Sequence, residues 1–226
     1  MNYESPQLRA VTGLAIRPGG VELTGRAMEF CSFPAGAQIL DVGCGEGATI
    51  GYLRNQHRLD ATGVDISSRL LRDGKSRDAS LPLIRASAER LPYGNESLDG
   101  ILCECALSLV PDPQCALAEF HRALRPGGRL ILGDIYLRES GESRSTGEHV
   151  VDGCLKGAVP YSVTKSMLEE TGFTVLLWED HTRHLKELAA RLVLAGAASA
   201  GFCGEYTKAG GGHQRPGYYL LVARKD

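Results

Sequence analysis

A chain of 226 residues is long enough for one domain with a full hydrophobic core. Its composition is 43% hydrophobic and 23% charged, with a net charge of −2, as in ordinary globular proteins. So even a balance gives no electrostatic reason to expect nucleic acid or an anionic membrane as a partner.

The opening "MNYESPQLRA" has neither a basic region nor an apolar run, so no signal peptide is expected. The late apolar stretch "LVLAGAASAGF" is too short to span a bilayer, and a cytoplasmic location is the expectation. The seven cysteines are Cys31, Cys44, Cys103, Cys105, Cys115, Cys154 and Cys203. An odd number with no zinc-ligand spacing argues against a disulfide framework, and most of them, Cys115 included, read as small buried hydrophobes.

After a polar start, "GGVELTGRAMEF" reads as an amphipathic helix. Strands and helices then alternate. "QILDV" is a buried strand, "GATIGYLRNQ" a helix and "DATGVDI" a strand; "SSRLLRDGKSR" is a serine-capped helix and "LPLIRA" a strand. "SLDGILCE" is a strand, "PDPQCALAEFHRAL" a helix with proline in its first turn, and "RPGGRLILGDIY" a strand. Such alternation predicts βαβ units in a doubly wound parallel sheet. Beyond it, "LRESGESRSTGEH" is polar and rich in glycine and serine, as in a lid. "SVTKSMLEETG" and "HTRHLKELAARLVLAGAAS" are helices around the strand "FTVLLWED". A glycine-rich connection, "KAGGGHQRPGYY", leads to a last strand and is read as a long hairpin connection or a flap. The expected layout is a helical cap over 1–34, a cofactor-binding core over 35–135, and a lid, acceptor side and final strands over 136–226.

The strongest motif is "LDVGCGEGAT": a strand, a turn with glycines at 43, 45 and 47, and a helix. Glycines let the backbone approach a ligand closely, and helix N–H groups point at it. The spacing is GxGxG rather than the GxGxxG of dinucleotide folds, and Asp41 precedes the turn. A second acid, Asp65, ends the next strand, where a carboxylate can accept both ribose hydroxyls.

In these residues the chain resembles the class I S-adenosylmethionine-dependent methyltransferases of the type 11 (UbiE-like) kind. "LDVGCGEG", "GVDIS", "ASAERLPYGNESLD" and "ALRPGGRLIL" resemble that family's successive motifs, in order and spacing, over roughly residues 35 to 135. The resemblance implies a Rossmann-like, seven-stranded sheet, mostly parallel with an antiparallel last strand and helices on both faces. It implies S-adenosylmethionine as cofactor and S-adenosylhomocysteine as product. It places Asp41, Gly43 and Gly45 around the methionine part, Glu104 or Cys105 near the methionine end, Asp65 on the ribose, Ile66 on the adenine face, and Ser87 with Ala88 along the adenine edge, with Cys44 also among the cofactor-binding residues. Ser87 departs from the pattern, since many relatives carry aspartate there.

Residues 104–136 also resemble a stretch of the arsenite methyltransferases, with Cys105 in place of that family's cysteine and Glu104 where the family has asparagine. "DGCLKGAVPYSVTKSMLEETGF" resembles its second cysteine segment and puts Cys154 in that role. Thiolates suit a soft acceptor such as trivalent arsenic, whose lone pair needs no general base. Cys105 and Cys154 are therefore the candidate catalytic thiols, with Cys203, Cys103 or Cys31 as a third. No resident metal is expected.

The alternative acceptor is a small, quinone-like organic metabolite methylated on carbon, oxygen or nitrogen, with His149, Tyr161, His181 or His213 as proton acceptor. A non-catalytic binder of the cofactor or a metalloid is the third reading. Arg17, in "RPGG" before the first helix, either reaches a carboxylate at the methionine end or is a solvated turn residue. The partners expected are a small-molecule or metalloid acceptor, neither nucleic acid nor membrane, in a monomer or homodimer.

Overall fold

The computed structural model describes residues 6–138, 155–196 and 216–226. The lid expected over 137–149 falls almost wholly outside these residues, and the candidate catalytic Cys154, with Cys203, His149 and His213, lies outside them entirely.

Among the described residues, seven strands form one sheet in the order β3-β2-β1-β4-β5-β7-β6. The strands are β1 (Gln38–Val42), β2 (Asp60–Asp65), β3 (Leu83–Arg85), β4 (Leu98–Glu104), β5 (Leu124–Leu137), β6 (Phe173–Asp180) and β7 (Pro216–Lys225). β1 to β5 pair in parallel, while β7 runs antiparallel to both β5 and β6. The helices are α1 (Pro6–Thr12), α2 (Gly20–Cys31), α3 (Ala48–His57), α4 (Ser68–Arg77), α5 (Pro113–Ala123), α6 (Tyr161–Glu170) and α7 (Thr182–Leu194). α1 lies in what the sequence shows only as a polar start. No helix among the described residues is long and apolar enough to cross a membrane.

The alternation of side chains along each strand divides the core between the two faces of the sheet. Leu40, Val42, Leu130, Leu132 and Leu221 pack on one face with Phe120 of α5 and Leu168 of α6. Ile39, Ile131, Leu220 and Val222 pack on the other with Met28 of α2, Ile50 and Leu53 of α3, and Leu71 of α4. Each such side chain, taken fully out of water, contributes about 1.5–3 kcal/mol before chain entropy is counted. The helix starts follow local chemistry. The Ser67 hydroxyl accepts from Leu70 N at 3.2 Å at the head of α4. The Asp112 carboxylate accepts from Cys115 N at 2.9 Å at the head of α5, with Pro113 in the first turn.

From β1 the chain builds outward through β2 and β3, then returns to build β4 and β5 on the other side. The reversal lies between β1 and β4, where Val42 is in register with Cys103. Loops leave these two strands in opposite directions, and a crevice opens at their carboxyl ends.

Candidate active site

That crevice measures about 520 Å³, and every residue assigned to the cofactor from the sequence lines it: Asp41, Gly43, Cys44, Gly45, Asp65, Ile66, Ser87, Ala88 and Glu104. Cys105 lines it too. The sequence does not mark Leu14, Ile16, Thr49, Glu89 and Leu109, which also line it, as does Arg17.

The glycine turn is fixed from several sides. Gly43 N and Cys44 N both donate to Val64 O, at 2.8 and 3.1 Å, tying the turn to β2. The Asp65 carboxylate bridges two loops, accepting from Gly45 N at 2.8 Å through Oδ2 and from Ser67 N at 2.8 Å through Oδ1. Glu46, inside the turn, is buried and clamped by Arg77 Nη1 at 2.7 Å and Arg9 Nη1 at 2.6 Å. Arg77 Nη2 also donates to Glu46 O at 2.7 Å. Beside the turn, Ile66 is 70% exposed, a bare apolar side chain at the mouth of the crevice. Ser87 donates to Glu89 Oε2 at 2.9 Å, so the residue that departs from the family pattern is still coupled to an acid facing the same space.

At the other end, acids gather around one arginine. Asp41 and Glu104 are both buried, and Arg17 Nη2 lies 2.9 Å from Glu104 Oε2. Thr24 Oγ1 accepts from Arg17 at 2.6 Å and donates to Glu104 Oε1 at 2.9 Å. Arg17 is therefore buried in an ion pair with Glu104 and is not a solvated turn residue.

Burial, and then the charge of Glu104, push the Asp41 carboxyl up to about 8. The folded chain thus holds a proton that the unfolded chain releases above the ordinary aspartate range. Rising pH between about 4 and about 8 favours the unfolded state through this group. Asp41→Asn is expected to melt progressively higher relative to the parent from pH 5 to pH 8, each kcal/mol being worth about 2–4 °C in a chain of this size. Thermal melts across that range check it, and a constant difference between the two proteins would contradict the assignment.

The cysteines separate clearly. Cys105 follows the end of β4 in a left-handed conformation, φ 53°, unusual for a residue with a side chain. Its thiol donates to Tyr218 Oη at 3.3 Å. Cys103, two residues earlier, is fully buried in the α5–α6 face of the core, and burial pushes its thiol up. Strand alternation would place both on one face, but the strand ends at Glu104 and the turn at Cys105 breaks the period. Cys31 packs against the opposite core face, its thiol pushed up to about 12 by burial. Cys115 corrects the sequence reading: it is exposed in the first turn of α5, on the side away from the apolar stripe Ala116, Leu117 and Phe120. Neither Tyr161 nor His181 lines the crevice. Tyr161 stacks on Trp178 with ring centroids 4.9 Å apart, and His181 Nε2 lies 3.0 Å from Glu179.

A family model described as a methyltransferase domain matches residues 40–132. An O-methyltransferase of Pyrenophora dematioidea is 28% identical over 84% of this chain and 75% of its own length. The chain spans only about half the length of several other curated relatives that it matches. The [4+2]-cyclase SpnF superposes with a TM-score of 0.79 at 23% identity, over 97% of this chain and 91% of that one. Phosphoethanolamine N-methyltransferase 2 of Haemonchus contortus, solved with S-adenosyl-L-methionine, gives 0.79 at 19% identity, over 97% of this chain and 56% of that one. Likeness at such identities speaks to the fold, and one fold hosts several reactions. The strand order and the glycine turn, with these likenesses, give the chain the Rossmann-like fold of the class I methyltransferases, and its residues 40–132 match a methyltransferase domain.

Proposed function

We propose that the chain methylates a small organic acceptor, on oxygen, nitrogen or carbon, bound against the apolar side of the crevice. The observation that carries this reading is the wall: Leu14, Ile16, Ala106, Leu109 and Val110 line the same crevice as Cys105. Among the described residues no group of three or more His, Cys, Asp or Glu side chains could hold a metal ion. The activities of two similar proteins, an O-methyltransferase and a phosphoethanolamine N-methyltransferase, lend support.

The crevice fits the cofactor by its own features: a glycine turn with open space over Gly45, an exposed Ile66 and a buried charged corner. In this reading Asp65 holds the ribose hydroxyls, Ile66 packs on the adenine, and Ser87 and Ala88 follow its edge. Asp41, Gly43, Cys44, Gly45 and Glu104 surround the methionine end. When bound, S-adenosylmethionine supplies an activated methyl group on a sulfonium. The chain's own task is to orient two reactants and keep water away, and alignment alone accounts for much of such a rate.

A soft acceptor, trivalent arsenic or a related metalloid, is the second reading. It is favoured by one observation, the Cys105 thiol at the crevice wall. Its second thiol, Cys154, lies outside the described residues.

Transfer from labelled S-adenosylmethionine separates the two readings. The panel is phenols, amines and, separately, trivalent arsenic with excess thiol, each run with the parent and with Cys105→Ser. The organic reading expects an acceptor from the first two groups, with turnover in Cys105→Ser within a few-fold of the parent. Turnover confined to arsenic, and lost by about 100-fold or more in Cys105→Ser while S-adenosylhomocysteine still binds, would overturn it in favour of the metalloid.

A further inference from the structure

Leu14 and Ile16, in the connection between α1 and α2, line the crevice although they lie ahead of the matched domain. They form a strap whose two ends are held by different means. At the α2 end Pro18 is buried, and a Cβ on Gly19 would lie 2.6 Å from Leu23 Cγ, so that end is packed. At the α1 end Arg9, Ala10, Val11 and Thr12 all keep some exposure, and none belongs to the buried core. Charge and hydrogen bonds hold α1 instead. Arg9 Nη1 lies 2.6 Å from Glu46 Oε1 and Arg9 Nη2 lies 3.2 Å from Asp73 Oδ2, while Arg191 donates to Val11 O. Gly13, between α1 and Leu14, has a left-handed backbone, φ 70°, and nothing within 4 Å of its Cβ position. It is free to absorb the backbone change of a hinge.

The contact between Arg9 and Glu46 is suited to opening. Glu46 Oε2 also takes Arg77 Nη1 at 2.7 Å, so withdrawal of Arg9 leaves no unpaired buried charge. The Arg9 side chain is 24% exposed and regains water as it leaves. Its Nε is buried without a hydrogen-bond partner, a cost that falls on the closed strap alone. A partly exposed ion pair set against that cost leaves the closed and open arrangements close in free energy.

Resting on the cofactor reading above, we propose that Arg9 is a latch. Its pairing with Glu46, inside the glycine turn, closes the strap over the cofactor, and cofactor and product pass when the latch opens and the strap swings about Gly13. The segment ahead of the matched domain thereby governs the rate of exchange more than the affinity.

The test is the kinetics of S-adenosylhomocysteine binding to the full chain, read by surface plasmon resonance. A latch weakened alike in the free and the bound protein raises the association and dissociation rates together. Arg9→Gln is expected to raise each by about tenfold, the scale of one charged contact, and to keep Kd within about threefold of the parent's. Arg9→Lys should fall between the two, because the charge remains and the fork that reaches both Glu46 and Asp73 is lost. In the same Arg9→Gln protein without ligand, hydrogen exchange should quicken at residues 9–16 and stay unchanged in β1 and β4, which shows that the fold is intact. Faster dissociation alone, with affinity lost in proportion, would overturn the proposal and leave Arg9 a brace of the glycine turn. Unchanged rates, a change confined to association, or unaltered exchange at residues 9–16 would overturn it as well, with the cofactor reading intact. Failure of the parent to bind S-adenosylhomocysteine at all would overturn the cofactor reading, and the latch with it.

Discussion

Gly43→Val is expected to abolish measurable cofactor binding and to lower the melting temperature, whereas Gly45→Ala should lose affinity with little loss of stability. Both glycines have left-handed backbones, φ 78° at Gly43 and 54° at Gly45, where a side chain costs about 1–2 kcal/mol. The two differ in what a Cβ would meet. At Gly43 it would lie 2.5 Å from the Cβ of Ala106, while at Gly45 nothing lies within 4 Å. Ala106 follows Cys105 just past β4, so a side chain at Gly43 would force apart the ends of β1 and β4 at the reversal point that creates the crevice. Overpacking of this kind adds about 1–3 kcal/mol. With the backbone term, a fall of roughly 4–20 °C follows. At Gly45 the added methyl has room in the protein and intrudes only on the ligand's space, so the melting temperature should move a few degrees and the affinity for S-adenosylhomocysteine by about tenfold or more. Thermal melts and calorimetric titration on both variants decide it. A Gly43→Val protein that melts and binds like the parent would show that the close approach of the two strand ends is not what shapes the site.

The sheet is legible in the sequence because its signals are local. Serine or aspartate before a helix, proline in a first turn and short apolar runs between them each act over a few residues, and together they give the alternation that only a doubly wound sheet accommodates. "FTVLLWED" and "QILDV" coincide with β6 and β1 residue for residue. The motif resemblance locates the crevice walls for the same reason: the turn at Gly43 and the carboxylate of Asp65 sit at strand ends, and strand ends can be read from the sequence. Partners that meet across the fold leave no local pattern. Nothing near Arg17 announces Glu104, and nothing near Glu46 announces Arg9 and Arg77, yet these pairs set the charge of one end of the crevice and the shape of its turn. Cys103 and Cys105 show the limit within a single strand. Their spacing promises a shared face, and only the left-handed turn at Cys105, stabilised by its amide donating to Gly133 O at 2.6 Å, sends them apart. The acceptor is least legible because the walls assigned to it, Leu14 and Ile16, come from a connection with no periodicity.

Asp65→Ala is expected to weaken S-adenosylhomocysteine binding by about 10²–10³-fold. In the proposed role, each carboxylate oxygen accepts one ribose hydroxyl while keeping its present backbone partner, Gly45 N on Oδ2 and Ser67 N on Oδ1. An ionised carboxylate oxygen has lone pairs for two donors, so the loop contacts and the ribose contacts do not compete. Two charge-assisted hydrogen bonds at about 1.5–3 kcal/mol each set the scale, and water returning to the truncated site recovers part of it. Asparagine is not a mild replacement. Its amide group would turn a donor toward either the Gly45 or the Ser67 N–H, setting two donors face to face, and Asp65→Asn should lose nearly as much as alanine. The loop role and the ribose role then separate by ligand. The parent should bind the 2′-deoxy analogue of S-adenosylhomocysteine about 10- to 100-fold more weakly than S-adenosylhomocysteine itself, and Asp65→Ala should bind the two equally. If Asp65→Ala weakens both ligands by one factor and keeps the parent's discrimination between them, Asp65 acts only by tying the glycine turn to the start of α4. The 2′-hydroxyl must then be read by another group in the crevice.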